Sequence, residues 1–110
     1  MLIEKKENYT FIHTDENLFS EFYTSFLKKE QGFEKENLVL QISTDIKTTK
    51  EDFLLFLSIT EQKRKDGTSF VLVCNTINID DYPENFNIVP TLLEAKDIIE
   101  MEAMERELGF

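Results

Sequence analysis

The sequence predicts an α/β domain: an N-terminal hairpin followed by a mainly parallel sheet crossed by three or four helices. Three observations lead there. Leu38–Ile42 is a short apolar run, the mark of a strand buried on both faces, and it passes through the hydroxyl-bearing loop Thr44-Asp45-Ile46-Lys47-Thr48-Thr49 into an apolar block at helical spacing. Ser69 to Cys74 is a second fully apolar strand. Strand and helix patterns then alternate along the chain, the order that right-handed crossovers between parallel strands produce.

Each element has a local cause. Leu2–Lys6 and Tyr9–His13 alternate apolar and polar residues around Glu7-Asn8, which predicts an edge hairpin. Asp15 or Asn17 is placed to cap a first helix, in which Leu18, Phe19, Phe22, Tyr23, Phe26 and Leu27 form one wide apolar stripe. Lys28 and Lys29 suit the negative end of its dipole, and Gly32 is the expected stop. A second helix starts at Thr48 or Thr49 and buries Phe53, Leu54, Phe56 and Leu57. It ends on Lys63-Arg64-Lys65, with Asp66-Gly67 as the turn. The stretch from Asn75 to Asn87 carries Pro83 and several Asp and Asn, so it predicts an irregular segment with room for one helical turn. Asn87-Ile88-Val89 is a short last strand. Thr91 opens the final helix, with Glu94 three residues on as a capping box, and Leu92, Ala95, Ile98, Ile99, Met101 or Glu102, and Leu108 as its inner face.

Bulk properties set the bounds. The 110 residues predict a single domain over 1–110, and 41% apolar residues with ten Phe can fill its core. No apolar run approaches 18 residues, and the N-terminus lacks the apolar region of a secretory signal. One cysteine, Cys74, excludes an internal disulfide and fits a reducing, cytoplasmic compartment. The formal charge of −10 argues against direct nucleic-acid or anionic-membrane binding, which need clustered Lys and Arg. From residue 77 onward nine acids face two bases, so the last third carries most of that charge.

Few residues offer chemistry, and the reading is non-enzymatic. His13 is the single histidine, with no readable nucleophile beside it; one His and one Cys cannot build a catalytic zinc site, and no cofactor pattern is present. Cys74 sits in an apolar strand, where thiols are inert filler. Asp45 occupies a position like a receiver-domain phosphoacceptor; Asp15 and Glu16 could be forced into the role of the acidic pair that holds magnesium there, but the lysine at the end of the fifth strand is missing. Thr48 and Thr49 are candidate phosphorylation sites at a helix start; against that, Thr48 with Glu51 reads as a plain capping box. The final helix is the candidate partner-binding surface. Glu100, Met101, Met104, Glu105, Leu108 and Phe110 continue apolar character among acids to the chain end, which suits a protein partner, with homo-oligomerisation left open.

The element order resembles the STAS domain, the fold of bacterial anti-sigma-factor antagonists. The resemblance spans nearly the whole chain: a terminal hairpin, a central strand entering a helix through a Ser/Thr loop, and a short strand followed by the acidic helix Leu92-Leu93-Glu94-Ala95-Lys96-Asp97-Ile98-Ile99. It implies a regulatory protein-interaction module. It also implies a phosphoacceptor in the loop that reads Asp-Ser-Ser-Gly in that family and Lys47-Thr48-Thr49-Lys50 here. The run from Val89-Pro90-Thr91 to Leu108-Gly109-Phe110 is also similar to a small Bacteroidetes family found beside, and sometimes labelled as, ribonuclease Z. By association that implies an accessory role in RNA processing. A thioredoxin-like fold is the alternative on element order, with Ile88-Val89-Pro90-Thr91 similar to its proline-bearing strand. That fold needs a Cys-x-x-Cys pair for redox work, and the residues after Pro90 favour a helix over the strand it requires.

Overall fold

The computed structural model describes every residue except Glu34, Ile77, Asn85 and Phe110, and omits the side chain of Ile79. Among the described residues five strands form one sheet in sequential order: β1 (Leu2–Lys5), β2 (Thr10–His13), β3 (Leu38–Gln41), β4 (Phe70–Val73) and β5 (Ile88–Val89). β1 and β2 are an antiparallel hairpin, closed by Lys6 N–H donating to the Tyr9 carbonyl at 2.8 Å. The remaining neighbours pair in parallel, so the chain is a mixed α/β domain with a mainly parallel sheet, as its patterning predicts.

Because the strands follow one another in order, the crossovers advance in one direction and their helices share a face. These are α1 (Phe19–Glu30), α2 (Lys50–Leu54) and α3 (Leu57–Lys65). Alternate residues of each strand point to opposite faces. Ile12, Leu38, Leu40, Phe70 and Leu72 meet Phe22, Phe26, Phe53 and Phe56 on the first face. Val39, Val71, Val73 and Val89 meet Ala95 and Ile99 of α4 (Leu92–Glu107) on the second. The result is three layers, aromatic on one side of the sheet and aliphatic on the other.

Phe56 is the hub of the aromatic layer. Its ring centroid lies 5.5 to 6.0 Å from those of Tyr23, Phe26, Phe19 and Phe70. Its position explains a departure from the expected single helix. At Leu55 and Phe56 the backbone tightens to i→i+3 bonds, Phe56 N–H donating to the Phe53 carbonyl at 3.1 Å, before α3 resumes. The shift turns both Phe53 and Phe56 into the core, while Leu54 and Leu57 are only partly buried.

Several local expectations are corrected. Asp15 does not cap α1: it is held with Glu16 by the amine of Met1, and the N-cap is Leu18, with no side-chain bond. Leu18 and Leu27 point to solvent rather than joining the stripe. Gly32 is not a left-handed stop, because α1 runs directly into a 3-10 turn over Gln31–Phe33; Gly67, with φ of 81°, does end α3 as the Asp66-Gly67 signal predicts. Among the described residues of the irregular segment one 3-10 turn forms, Ile79–Asp81; after it Tyr82 packs edge-on against Phe53, and Phe86 against Tyr82.

Lys63 carries a role its sequence context hides. Among three bases at a helix end it reads as a solvated charge, yet it is 2% exposed. Its ammonium donates to the carbonyls of Phe33 and Glu36, each at 2.6 Å. It thereby ties α3 to the segment between α1 and β3, where the Phe33 carbonyl also accepts from Glu36 N–H at 3.1 Å.

Candidate functional site

α4 is positioned by its first turn and its inner face. Thr91 Oγ1 accepts from the Glu94 N–H at 3.2 Å, half of the expected capping box. The helix then runs back along the sheet, antiparallel to the strands: Glu102 accepts from the Asn87 side-chain amide at 2.8 Å, and Arg106 donates to Ser69 Oγ at 3.3 Å at the amino end of β4. Ala95 and Ile99 are buried, with Leu92 and Ile98 packed beside them. Glu102, not Met101, takes the next inward position, and Leu108, expected inside, is outside.

The other face of α4 is apolar and uncovered. Leu93, Met101, Met104 and Leu108 are 69, 52, 62 and 71% exposed. At 100° per residue these four fall in an arc of about 80°, centred opposite the midpoint between Ala95 and Ile99. Asp97 lies within the arc, and Glu100 and Glu105 flank it on either side. A helix that packs through one face ordinarily presents a polar one to water. α4 presents a second apolar stripe, set among carboxylates.

Two shallow depressions follow this stripe. One, of about 310 Å³, lies along Asp97, Glu100, Met101, Met104, Glu105 and Leu108. The second, of about 380 Å³, shares Glu100 and Met104 and descends past Ala103 to Asn8 and Asn37 at the amino edge of the sheet. The structure therefore brings together five of the six residues singled out for partner binding; Phe110 lies outside the described residues.

The threonine loop is resolved in favour of a different cap from the one expected. Thr49, not Thr48, is the N-cap of α2: its Oγ1 accepts from Asp52 N–H at 3.1 Å while Asp52 accepts from Thr49 N–H at 2.9 Å. The capping box is thus Thr49 with Asp52, and Glu51 has no part in it. Thr49 is exposed and Thr48 half-buried.

His13 and Cys74 both reach the carboxyl edge of the sheet but form no catalytic pair. The His13 ring stacks on Phe11, two residues before it, with centroids 5.3 Å apart. Cys74 is buried with its Sγ 3.3 Å from Thr76 Oγ1. Among the described residues no hydrogen bond joins His13 to Cys74, Ser43 or Thr44, and no group of three His, Cys, Asp or Glu side chains is arranged to hold a metal. Glu36 is a partly buried carboxylate with a lowered pKa. The Thr10 hydroxyl donates to it at 2.5 Å, and Lys5 stands 3.4 Å away; together they hold its pKa below the ordinary glutamate range. This is a structural clamp between β2 and the entry to β3.

No protein-family model matches the chain, and no curated protein is significantly similar to it.

Proposed function

We propose that this protein is a non-enzymatic, STAS-like interaction module whose α4 docks a basic amphipathic helix of another protein. The observation that carries the reading is the second apolar stripe of α4, exposed opposite the face that holds the helix to the sheet. Exposed Met and Leu along one helical face supply adaptable apolar contact area. The carboxylates Asp97, Glu100 and Glu105 border that area with no base among the residues lining it. Two copies of this chain joined through the stripe would set six carboxylates against one another, a repulsive arrangement. A helix bearing Lys or Arg beside its own apolar stripe complements the face in both respects.

The hairpin, the sequential sheet and the hydroxyl loop opening α2 support the STAS-like part of the reading. Thr49 serves there as a helix cap, the role its two hydrogen bonds with Asp52 support.

Site-specific photo-crosslinking tests the proposal. A photoreactive residue at Met104 should give one discrete heterologous adduct in native cells, mapping to a Lys- or Arg-bearing helical segment. The same residue at Leu27, exposed on the other side of the sheet, should give none. An adduct between two copies of this chain, or none at Met104, would refute it.

A further inference from the structure

We propose that a cleft at the carboxyl edge of the sheet binds a small oxyanion, the phosphate or carboxylate group of a small molecule. The site is separate from the outer face of α4 and does not rest on the docking reading. α1, α2 and α4 all begin at this edge, following β2, β3 and β5. The connection leaving β4 turns to the aromatic face, where Tyr82 and Phe86 pack, while the one leaving β5 enters α4 on the opposite face. Diverging connections leave the strand ends between them uncovered, the place where open α/β sheets receive ligands. Here they leave a cleft of about 370 Å³, at the small end of the range for ligand pockets.

Its lining offers several hydrogen-bond donors. Thr14, Ser43, Thr44, Asn75, Gln41 and His13 supply the polar groups, and none of the described lining residues is acidic in a chain that holds 22 Asp and Glu. Thr14 is 8% exposed, and its Oγ1 accepts from Ser43 N–H at 2.9 Å. Ser43 Oγ in turn accepts from Asp45 N–H at 3.2 Å. Each hydroxyl has a lone pair engaged by backbone, while its own O–H has no acceptor among the described residues. The side-chain amides of Gln41 and Asn75, the Thr44 hydroxyl and the His13 imidazole likewise make no side-chain hydrogen bond there. The same hydroxyl, amide and imidazole groups can also accept, so the preference for an anion rests on the absence of a carboxylate among the described lining residues. An oxyanion needs donors alone. The positive ends of α1 and α4 lie at the same edge and favour the same charge. At physiological ionic strength charges more than about 8 Å away are screened.

The test is a titration of ¹⁵N-labelled protein with inorganic phosphate at matched ionic strength, followed by amide chemical shifts. Saturable shifts centred on Ser43, Thr44 and Asn75, with a Kd on the order of 1 mM, are expected. Thr14→Val and Asn75→Ala should each weaken binding about tenfold, the loss of one hydrogen bond to a charged group. Asn75 is exposed, so its variant remains decisive if Thr14→Val fails to fold. A parallel titration with acetate separates the two sources: saturation by phosphate alone assigns a phosphoryl group, and saturation by both assigns general oxyanion recognition. Shifts that stay linear with concentration, shifts spread over Lys28, Lys29 and Lys47, or equal shifts with neutral glycerol would overturn the proposal. Met104→Ser/Leu108→Ser should leave the titration unchanged, so this site and the docking face can fail independently.

Discussion

Replacing Met104 and Leu108 together by Ser separates the stability of the domain from its capacity to dock. Both side chains are mostly in water, 62 and 71% exposed, so little burial is lost on folding. The remaining cost is helix propensity, a few tenths of a kcal/mol for each Ser, or about 0.5–1 kcal/mol for the pair. In the complex the same two side chains would be covered. Full burial of Met or Leu is worth about 1.5–3 kcal/mol, and scaling by the exposed fractions gives about 2–4 kcal/mol of lost association. That corresponds to roughly 30- to 700-fold weaker binding. Urea denaturation should therefore show a change of about 1 kcal/mol or less, independent of protein concentration, while the adduct that a photoreactive residue placed at Met101 forms in the parent protein disappears. A loss above about 2 kcal/mol, or a melting temperature that rises with concentration in the parent protein but not in the variant, would refute the reasoning. The first would place the helix end in the core, and the second in an interface between copies of this chain.

Three further outcomes follow from the geometry. Thr49→Ala should cost about 1 kcal/mol in denaturant unfolding and Thr48→Ala less than about 0.5 kcal/mol, because only Thr49 makes the capping bonds; equal effects would contradict the assignment. Lys63→Met should cost about 2–4 kcal/mol by leaving the Phe33 and Glu36 carbonyls without that donor, and a change below about 0.5 kcal/mol would show that water replaces it. Glu36 has a folded-state pKa below its unfolded one, so its contribution is complete above the ordinary glutamate range and is lost as pH falls through the folded value. Glu36→Gln should flatten the decline of stability between about pH 5 and pH 3, and an unchanged slope would refute the clamp.

By itself the sequence determined the α/β class, the hairpin, the two apolar strands, and Thr91 and Gly67 as a cap and a stop. These features are written in residues within a few positions of one another, where periodicity and side-chain-to-backbone chemistry act. The exposed Met101 and Met104 were legible for the same reason, since a helix continuing its apolar pattern beyond its inner stripe signals a second face. Leu108 reads both as inner face and as partner-binding surface; 3.6-residue spacing sets it with Met104 opposite Ala95 and Ile99, and it is exposed there. Other features were decided only by tertiary contact. The break between α2 and α3 follows from Phe56 meeting rings of α1 and β4, and the burial of Lys63 from carbonyls about thirty positions earlier. The carboxyl-edge cleft joins residues from the ends of four strands. Asp15 had the local chemistry of a cap and was taken instead by the amine of Met1. In each case the deciding partner is distant in sequence, and a local pattern carries no information about which distant group the folded chain brings within hydrogen-bond or packing range.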